Sequence, residues 1–430
     1  MFEFLGYDFD QNLLRATFRY RGGTRNNPLN FTEIVEFSTR APKTAENAKI
    51  DQRALDRALA FAFIAIGTSY YKTFPTIKVK LPTSFNVLPA DFYNSIYQDG
   101  LSQFAFENNL TRADLAHFPY PDILIGPKTP ESYSGSGKLV LQSGGKDSLL
   151  TASLLNKSAE PWTAVYISSS DNYPQILDEL GANNLQIIKR KIDHDGLTKA
   201  EKLGGLNGHV PVTYINIALA LIQAILNGQN EVITSIGHEG AEPHAIIKSK
   251  NNEPDLPVNH QWSKTAEAEK LLQDYVEYYI AKEIKVHSLI RKYSELKVAE
   301  MFVQNCWDKF GHKFSSCNVA NYGQGTDNSA LKWCGHCAKC ANSYLLFAPF
   351  LEPTELNSLF PDNKSLFSVP ELTNDFKGLL GIDGAMKPFE CVGEIAELRR
   401  AYHMKRADYP DLPFSVPDSN FNYKKENNCN

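Results

Sequence analysis

The 430-residue sequence lacks an apolar run long enough to cross a membrane. Its longest strongly apolar stretch, residues 215–226, falls well short of the ~20 residues that a membrane-spanning helix needs. The N-terminus also lacks the basic segment, apolar stretch and small-residue cleavage site that make up a secretory signal. We therefore expect a cytoplasmic protein that does not interact with membranes.

The sequence has no basic surplus either, because its formal net charge is −5 and no segment is strongly basic. Nucleic-acid-binding domains usually concentrate Lys and Arg on one face, so this balance argues against a nucleic-acid partner and favours a small-molecule substrate. A chain longer than about 250–300 residues usually divides into domains. Nothing in the sequence indicates an oligomeric state.

Cysteine is scarce, with seven residues in all, yet Cys334, Cys337 and Cys340 stand close together. This spacing predicts metal binding in a reducing compartment rather than a set of disulfides. Cys317 is the natural fourth ligand of a tetrahedral Zn²⁺, and four protein ligands leave no position for a substrate. The predicted zinc site is therefore structural, with an iron–sulfur cluster on the same ligands as the alternative.

The hydrophobic patterns predict an α/β protein with three regions and a tail. These are an N-terminal α+β domain (1–130), a central domain (131–300), a C-terminal helical region that carries the cysteines (301–417) and a polar tail (418–430). In the central domain the predicted strands are 138–142, 163–168, 185–192 and 231–236, and the predicted helices are 149–156, 174–180 and 212–226. Strands that alternate with helices predict a parallel sheet with helices on both faces.

A glycine-rich loop lies between the first central strand and its helix. It consists of Ser143, Gly144, Gly145, Lys146, Asp147 and Ser148, which we call the phosphate loop. Consecutive glycines let backbone N–H groups converge on phosphate oxygens, and the following helix directs its positive end at the same anion. Lys146 would offset phosphate charge, the two serines would donate hydrogen bonds, and Asp147 could hold Mg²⁺. A Walker A loop does not fit, since Asp147 follows the lysine where Ser or Thr is required.

The phosphate loop resembles the SGGxDS loop of the N-type ATP pyrophosphatases (PP-loop proteins), which cleave ATP between its α and β phosphates and transfer AMP to a substrate oxygen. Together with a four-cysteine site it is similar to the QueC-like deazaguanine nitrile synthases, although those proteins are much shorter. A closer resemblance, in consistent order from near residue 1 to about 400, is to the UDP-N-acetylmuramoyl-L-alanyl-L-glutamate epimerases, the MurL family. The segments that carry it are 69–72 (SYYK), 206–213 (LNGHVPVT), 257–264 (PVNHQWSK), 314–318 (FSSCN), 333–340 (WCGHCAKC) and 387–394 (KPFECVGE).

This resemblance implies an isomerase that inverts the terminal L-Glu of UDP-MurNAc-L-Ala-L-Glu to D-Glu in peptidoglycan precursor synthesis. ATP and Mg²⁺ would activate the α-carboxylate as an adenylate, with release of AMP and pyrophosphate. Two alternatives stay open: a QueC-like ligase that forms an amide or nitrile from a deazapurine acid, and a zinc-stabilised binding protein that only senses ATP.

Inversion at the α-carbon needs a base and an acid with access to opposite faces. The candidates that the family-like segments offer are His209, His260, Lys264, Cys391 and Glu394. A thiolate would suit the base role if its pKa were lowered. Glu390 could bind Mg²⁺ or transfer a proton, and Lys387, Arg399 and Arg400 could pair with substrate anions.

Overall fold

The computed structural model describes residues 1–39, 50–82, 89–119, 132–158, 160–170, 172–238, 240, 242–249, 254–322 and 327–425. The strands in these ranges are β1 (Phe2–Asp10), β2 (Arg15–Gly23), β3 (Pro28–Glu36), β4 (Val79–Lys80), β5 (Lys138–Leu141), β6 (Trp162–Ser168), β7 (Asn184–Lys191), β8 (Glu231–Thr234), β9 (Ala245–Ile247), β10 (Leu256–Val258) and β11 (Lys285–Ser288). The α-helices are α1 (Gln52–Tyr71), α2 (Ala90–Gln98), α3 (Ser102–Glu107), α4 (Lys146–Asn156), α5 (His194–Lys202), α6 (Val212–Asn227), α7 (Ala266–Tyr275), α8 (Glu295–Phe310), α9 (Asn318–Asn321), α10 (Ala338–Phe347), α11 (Pro353–Asn357), α12 (Thr373–Leu380) and α13 (Ile395–Met404).

A nine-stranded sheet forms the centre of the protein, in the order β11-β8-β5-β6-β7-β3-β2-β1-β4. The five strands from β11 to β7 are parallel, whereas β1, β2 and β3 pair with one another antiparallel. The prediction of an α/β protein with a large, mostly parallel sheet is therefore confirmed. Strand β3 pairs antiparallel with β7, so the N-terminal strands continue the central sheet.

Several predicted elements differ in detail from the observed ones. The helix predicted at 174–180 is a short 3₁₀ turn, Gln175–Glu179. Strands β1 and β11 were not predicted, since β1 contains Gly and Asp, which are depleted in strands, and β11 has only four residues. Within the described ranges, every helix is too short or too polar to span a bilayer.

A buried polar network fixes the junction between β3 and β7. The Arg190 Nε donates to Glu33 Oε1 at 2.6 Å, and the Tyr70 hydroxyl donates to Glu33 Oε2 at 2.7 Å. A second Arg190 nitrogen donates to the Ser69 hydroxyl at 3.1 Å. Removing one partner of such a buried pair usually costs about 3–5 kcal/mol. The network therefore holds the end of α1 firmly against the sheet, which fixes the position of the next residue beyond it, Lys72.

The C-terminal region packs against the helix that follows the phosphate loop. Helices α8, α10, α12 and α13 share a buried core that contains Phe302, Tyr344 and Phe376. Leu149 and Leu150 of α4 belong to the same core. The cysteine-bearing region therefore rests directly on the half of the sheet that carries the phosphate loop.

Candidate active site

The phosphate loop follows β5 in a tight turn, and its last three residues, Lys146, Asp147 and Ser148, form the start of α4. Gly144 has φ +80°, a conformation that favours glycine, and a Cβ there would lie 2.6 Å from Leu331 Cδ1. A Cβ on Gly145 would lie 3.0 Å from the Ser316 hydroxyl oxygen, so the cysteine-bearing region closes over the loop. The Ser148 hydroxyl accepts the Ser143 N–H at 3.3 Å. Loop and helix together provide the backbone N–H groups and positive helix end that bind anions.

The loop also lies where the chain changes the side of β5 on which it adds strands to the sheet. From β5 the chain adds β6 and β7 on one side, and then returns to add β8 and β11 on the other side of β5. In open α/β sheets, ligands bind in the crevice at the carboxyl ends of the two strands that flank such a switch point. Here these strands are β5, which leads into the phosphate loop, and β8, which leads towards Gly237.

Lys146 is buried and held between two carboxylates. Its ammonium donates to Asp147 Oδ1 at 2.6 Å and to Glu295 Oε2 at 2.5 Å. Burial alone would lower the pKa of Lys146, but the two carboxylates outweigh it and raise the pKa above its ordinary value. Glu295 was not predicted as a site residue, because it is 149 positions away in sequence and only the tertiary fold brings it to the loop.

A further buried carboxylate, that of Glu397 on α13, lies at the start of α8, close enough to Lys146 for their charges to interact. Its Oε1 accepts the Leu296 N–H at 2.6 Å. Burial raises the pKa of Glu397 to about 7, and the charge of the predicted site residue Glu394 adds to this effect. The Lys146 ammonium opposes the rise in the Glu397 pKa, so α13 contributes to the electrostatics of the phosphate loop.

Three histidines gather at a second place, which we call the histidine cluster: His209, His244 and His260. The ring centroids of His209 and His260 are 4.4 Å apart, and those of His244 and His260 are 6.4 Å apart. The structure thus brings the two predicted histidines together and adds His244, which the sequence patterns did not single out. Burial is the main cause that lowers the pKa of His209 to about 3 and those of His244 and His260 to about 4. Burial therefore keeps all three rings neutral near pH 7, and it also makes them weak bases.

Fixed hydrogen bonds orient two of these rings. His260 Nδ1 donates to Gln103 Oε1 at 2.6 Å, which leaves its Nε2 as the basic nitrogen. His244 Nε2 donates to the Pro388 carbonyl at 3.1 Å. Within the described part of the chain, the buried Nδ1 of His244 has no hydrogen-bond partner.

Two lysines flank the histidine cluster. Lys72 donates to the Gly208 carbonyl at 2.8 Å, and burial lowers the Lys72 pKa to about 8. The positive charge of the predicted site residue Lys264 lowers the pKa of His260. Lys72 belongs to the segment 69–72 (SYYK), and the resemblance of this segment to the family was the sequence signal that could have identified it.

The segment 387–394 links the histidine cluster to the rest of the site. Lys387 pairs with Glu242 at 3.0 Å, and Glu390 accepts a hydrogen bond from Asn318 at 2.8 Å. The charge of Glu390 raises the pKa of His260, so the two groups lie close enough to interact. The Lys339 ammonium donates to the backbone carbonyl of Cys391, whose thiol is partly exposed.

The two arginines proposed to pair with substrate anions differ in their surroundings. Arg399 donates to the Leu380 carbonyl at 2.7 Å and to the Gly381 carbonyl at 3.0 Å. Both acceptors lie at the end of α12, where a cation stabilises the helix. Arg399 is therefore engaged in capping a helix, while the buried Nε of Arg400 has no partner within the described ranges.

The four predicted cysteines form one group, which we call the cysteine cluster: Cys317, Cys334, Cys337 and Cys340. Their sulfurs all lie within 4.8 Å of one another. Three of the sulfur pairs are separated by 3.6, 3.7 and 3.8 Å. Tetrahedral zinc with Zn–S bonds of about 2.3 Å places its sulfurs about 3.8 Å apart. The donor set therefore fits a single tetrahedral ion with no position left open.

Comparisons with known proteins agree with these features. The family models described as MurL N-terminal domain and MurL C-terminal domain match residues 1–289 and 313–412. A protein from Salinispora tropica is 30% identical over 405 residues, which are 92% of this chain and 82% of that protein. One from Xanthomonas oryzae pv. oryzae is 31% identical over 349 residues (81% and 74%), and one from a Micromonospora species is 28% identical over 400 residues (92% and 84%).

All three relatives are named UDP-N-acetyl-alpha-D-muramoyl-L-alanyl-L-glutamate epimerase. The N-terminal match alone covers more than half of the chain. It includes all strands of the nine-stranded sheet, and the C-terminal match includes the cysteine cluster. The chain therefore belongs to the MurL family.

Proposed function

We propose that this protein is an ATP-dependent isomerase that inverts the terminal L-Glu of UDP-MurNAc-L-Ala-L-Glu to D-Glu in peptidoglycan precursor synthesis. The observation that carries this proposal is the match to both MurL domains, together with relatives named for that epimerisation over most of their length. Because ATP is an intracellular nucleotide, we expect the reaction to take place in the cytoplasm.

The chemistry of the substrate explains why ATP would be needed. An α-proton next to a carboxylate is very weakly acidic, because removing it would place a carbanion beside an existing negative charge. Transfer of AMP to the α-carboxylate would form an acyl adenylate, which is a mixed anhydride, and pyrophosphate would leave. The carbonyl of this anhydride could then delocalise the carbanion as an enolate. Hydrolysis of the adenylate after reprotonation yields the D-Glu product and AMP, which makes the inversion directional.

The phosphate loop supplies the groups that this activation requires. Its backbone N–H groups and the start of α4 favour anions, and Lys146 is a permanently charged cation beside them. Asp147 and Glu295 are oxygen donors of the kind that Mg²⁺ prefers, and both carboxylates lie at the loop. These residues would hold Mg²⁺ and ATP, and the bound metal would supply charge compensation on the phosphates.

The histidine cluster is the best candidate for proton transfer. A base must be unprotonated, as His209 and His260 are near pH 7, but their lowered pKa values also make them weak bases, so what favours them is the close approach of the two rings. The short distance between the two rings favours one proton-accepting site. The candidates for donating a proton to the opposite face are Cys391, Glu394 and Lys264. Segment 387–394 reaches the cluster through Pro388 and Glu390, and the charge of Lys264 acts on His260.

The cysteine cluster would hold a structural Zn²⁺ that keeps this site together. Ser316, one residue before Cys317, lies against the phosphate loop, and Asn318, one residue after it, binds Glu390. An ion at the cluster would therefore fix the loop that touches both halves of the site. A colourless metalloprotein with one zinc per chain supports this role, whereas visible absorption from an iron–sulfur cluster contradicts it.

The proposed reaction is tested by incubating the pure protein with ATP, Mg²⁺ and UDP-MurNAc-L-Ala-L-Glu in D₂O. We expect D-Glu that carries deuterium at its α-carbon, with AMP and pyrophosphate formed in step with it. Product without deuterium would rule out a carbanion route. Consumption of ammonia with a deazapurine acid would instead favour the QueC-like ligase, and ATP binding without any AMP release would favour a nucleotide sensor.

A further inference from the structure

Helix α3 determines where the ring of His260 lies. Two consecutive residues of α3 bind two consecutive residues of the loop after β10. The Ser102 hydroxyl accepts the Asn259 N–H at 3.1 Å, and Gln103 Oε1 accepts the His260 Nδ1–H at 2.6 Å. Ser102, Gln103 and Asn259 are all buried. This buried pair of contacts leaves the ring little freedom to turn, so His260 holds a fixed position in the histidine cluster.

The other end of α3 reaches the segment before His209. The Asn108 amide, directly after the helix, donates to the Asn207 carbonyl at 3.1 Å. A Cβ on Gly208 would lie only 3.2 Å from Glu107 Oε2, so the Glu107 side chain rests against this segment. One short helix therefore contacts the segments that carry both histidines whose rings are 4.4 Å apart.

Glu107 determines which way the Gln103 amide points. The Gln103 Nε2 donates to Glu107 Oε1 at 2.7 Å, one turn further along α3. An ionised carboxylate can only accept hydrogen bonds, whereas a glutamine amide has a donating nitrogen and an accepting oxygen. If the amide were turned round, its oxygen would face a carboxylate oxygen, and the two would repel each other. The amide nitrogen therefore faces Glu107, and the amide oxygen faces His260.

The amide oxygen in turn determines which ring nitrogen of His260 carries the proton. An oxygen acceptor 2.6 Å from Nδ1 requires a proton on Nδ1, since two lone pairs at this distance repel each other. Burial lowers the pKa of His260 to about 4, so near pH 7 the ring has one proton and a single basic nitrogen. That nitrogen is Nε2. The tautomer is thus set by Glu107, which lies two hydrogen bonds away from the ring.

We propose that Gln103 and Glu107 are positioning residues for proton transfer, which hold His260 with its proton on Nδ1 and its lone pair on Nε2. The inference rests on the proposed role of His260 as the base. In that role the α-proton of the substrate moves to Nε2, and its electron pair stays on the substrate. Both ring nitrogens then carry a proton, and Gln103 still accepts from Nδ1, so no hydrogen bond has to rearrange. The negative charge of Glu107 also opposes the effect of burial on the pKa of His260, which makes Nε2 a better base than burial alone would allow.

The test determines the tautomer of His260 by NMR in the full chain labelled with ¹⁵N-histidine, near pH 7 and without nucleotide or substrate. The signal is assigned by its loss in His260→Gln. In wild type we expect the tautomer with a protonated Nδ1 to exceed the other roughly tenfold or more, because the bond that selects it involves a charged group. In Glu107→Ala the Gln103 amide can turn and donate to Nδ1, so the two tautomers should become comparable in population. Asn108→Ala is the matched control, since it removes a neighbouring contact of α3 and keeps the Gln103–Glu107 bond, and it should keep the wild-type tautomer.

Chiral analysis of glutamate alongside AMP release relates the tautomer to the reaction. Gln103→Met has a similar size but lacks the acceptor for Nδ1, so inversion should fall roughly tenfold or more relative to AMP release. Gln103→Glu keeps an acceptor at the same place and should retain both the proton on Nδ1 and most of the inversion. A packing role of Gln103 would favour methionine over glutamate at this buried position, so the opposite order identifies the acceptor.

Two results would overturn the inference: an unprotonated Nδ1 in wild type, or an unchanged tautomer in Glu107→Ala. Inversion by Gln103→Met at the wild-type ratio to AMP release would also overturn it. The proposed function fails separately, if wild type shows the expected tautomer but inverts no glutamate.

Discussion

The cysteine cluster and the phosphate loop both suit ions, but they differ in the partners that their charged groups have. Three pairs of the four sulfurs are 3.6 to 3.8 Å apart, a spacing that suits one shared ion. At the phosphate loop, Lys146 already neutralises charge on Asp147 and Glu295. We expect the first arrangement to hold a permanent ion and the second to suit a ligand that comes and goes. Predictions that separate these two kinds of site follow, from the largest expected effect to the smallest.

The largest effect is expected at the cysteine cluster. Cys334→Ser should lose the metal and most soluble protein, because a structural zinc contributes on the order of 10 kcal/mol to folding. Metal content by mass spectrometry and soluble yield measure the outcome. Cys306→Ala is the control, since Cys306 is a buried cysteine outside the cluster and should keep the metal. Soluble, folded and metal-free Cys334→Ser would remove the distinction between a permanent and an exchangeable site.

Asp147→Asn should act at the phosphate loop without loss of the fold, because Lys146 keeps Glu295 as its partner. We expect AMP formation to fall by roughly 10³-fold or more, because the Mg²⁺ that would compensate charge on the transferring adenylyl group loses a carboxylate ligand. The zinc content and the unfolding temperature should stay close to wild type. Glu160→Gln, which removes an exposed ion pair with Lys138 near the start of β5, serves as the control. AMP formation at the wild-type rate would contradict the assignment of this loop.

His260→Gln and Cys391→Ala should separate activation from proton transfer. If His260 accepts the α-proton, its loss should slow inversion roughly 10²-fold or more while AMP is still released. A similar result for Cys391→Ala would identify the thiol as the group that acts on the opposite face. Chiral analysis of glutamate alongside AMP release gives both quantities. Equal loss of AMP and inversion in both variants would mean that the histidine cluster and segment 387–394 serve activation instead.

The smallest effect concerns the pH dependence contributed by Glu397. Its pKa is raised from 4.5 to about 7 in the folded protein, so the folded state binds more protons than the unfolded state between these values. Stability from this group is therefore present at low pH and is lost as pH rises towards 7. Glu397→Gln should gain about 1–3 kcal/mol relative to wild type between pH 5 and pH 8. Urea unfolding at the two pH values measures this, and a difference that does not depend on pH would contradict it.

Local patterns predicted the parts of the site that depend on neighbouring residues. The phosphate loop follows β5 as expected, because glycines between a strand and a helix determine that turn, although α4 begins at Lys146, three residues before the predicted helix. The four cysteines also come together, since three of them share one short stretch. Glu295 and His244 escaped prediction, because each reaches the site only through packing of distant elements. The continuation of the sheet from β7 into β3 escaped it for the same reason, as strand order is not encoded in local periodicity.

That β3–β7 pairing also determines how the protein could be shortened. In a chain that began after β3, the end of β7 at residues 189–191 would lose its partner strand, which would leave unpaired N–H and C=O groups there and Arg190 without Glu33. Exposed edges of this kind pair with other chains and promote aggregation. The half of the sheet that carries the phosphate loop therefore depends on the N-terminal strands as an edge cover, and we expect fragments that lack them to aggregate even though they retain every residue of the phosphate loop and the cysteine cluster.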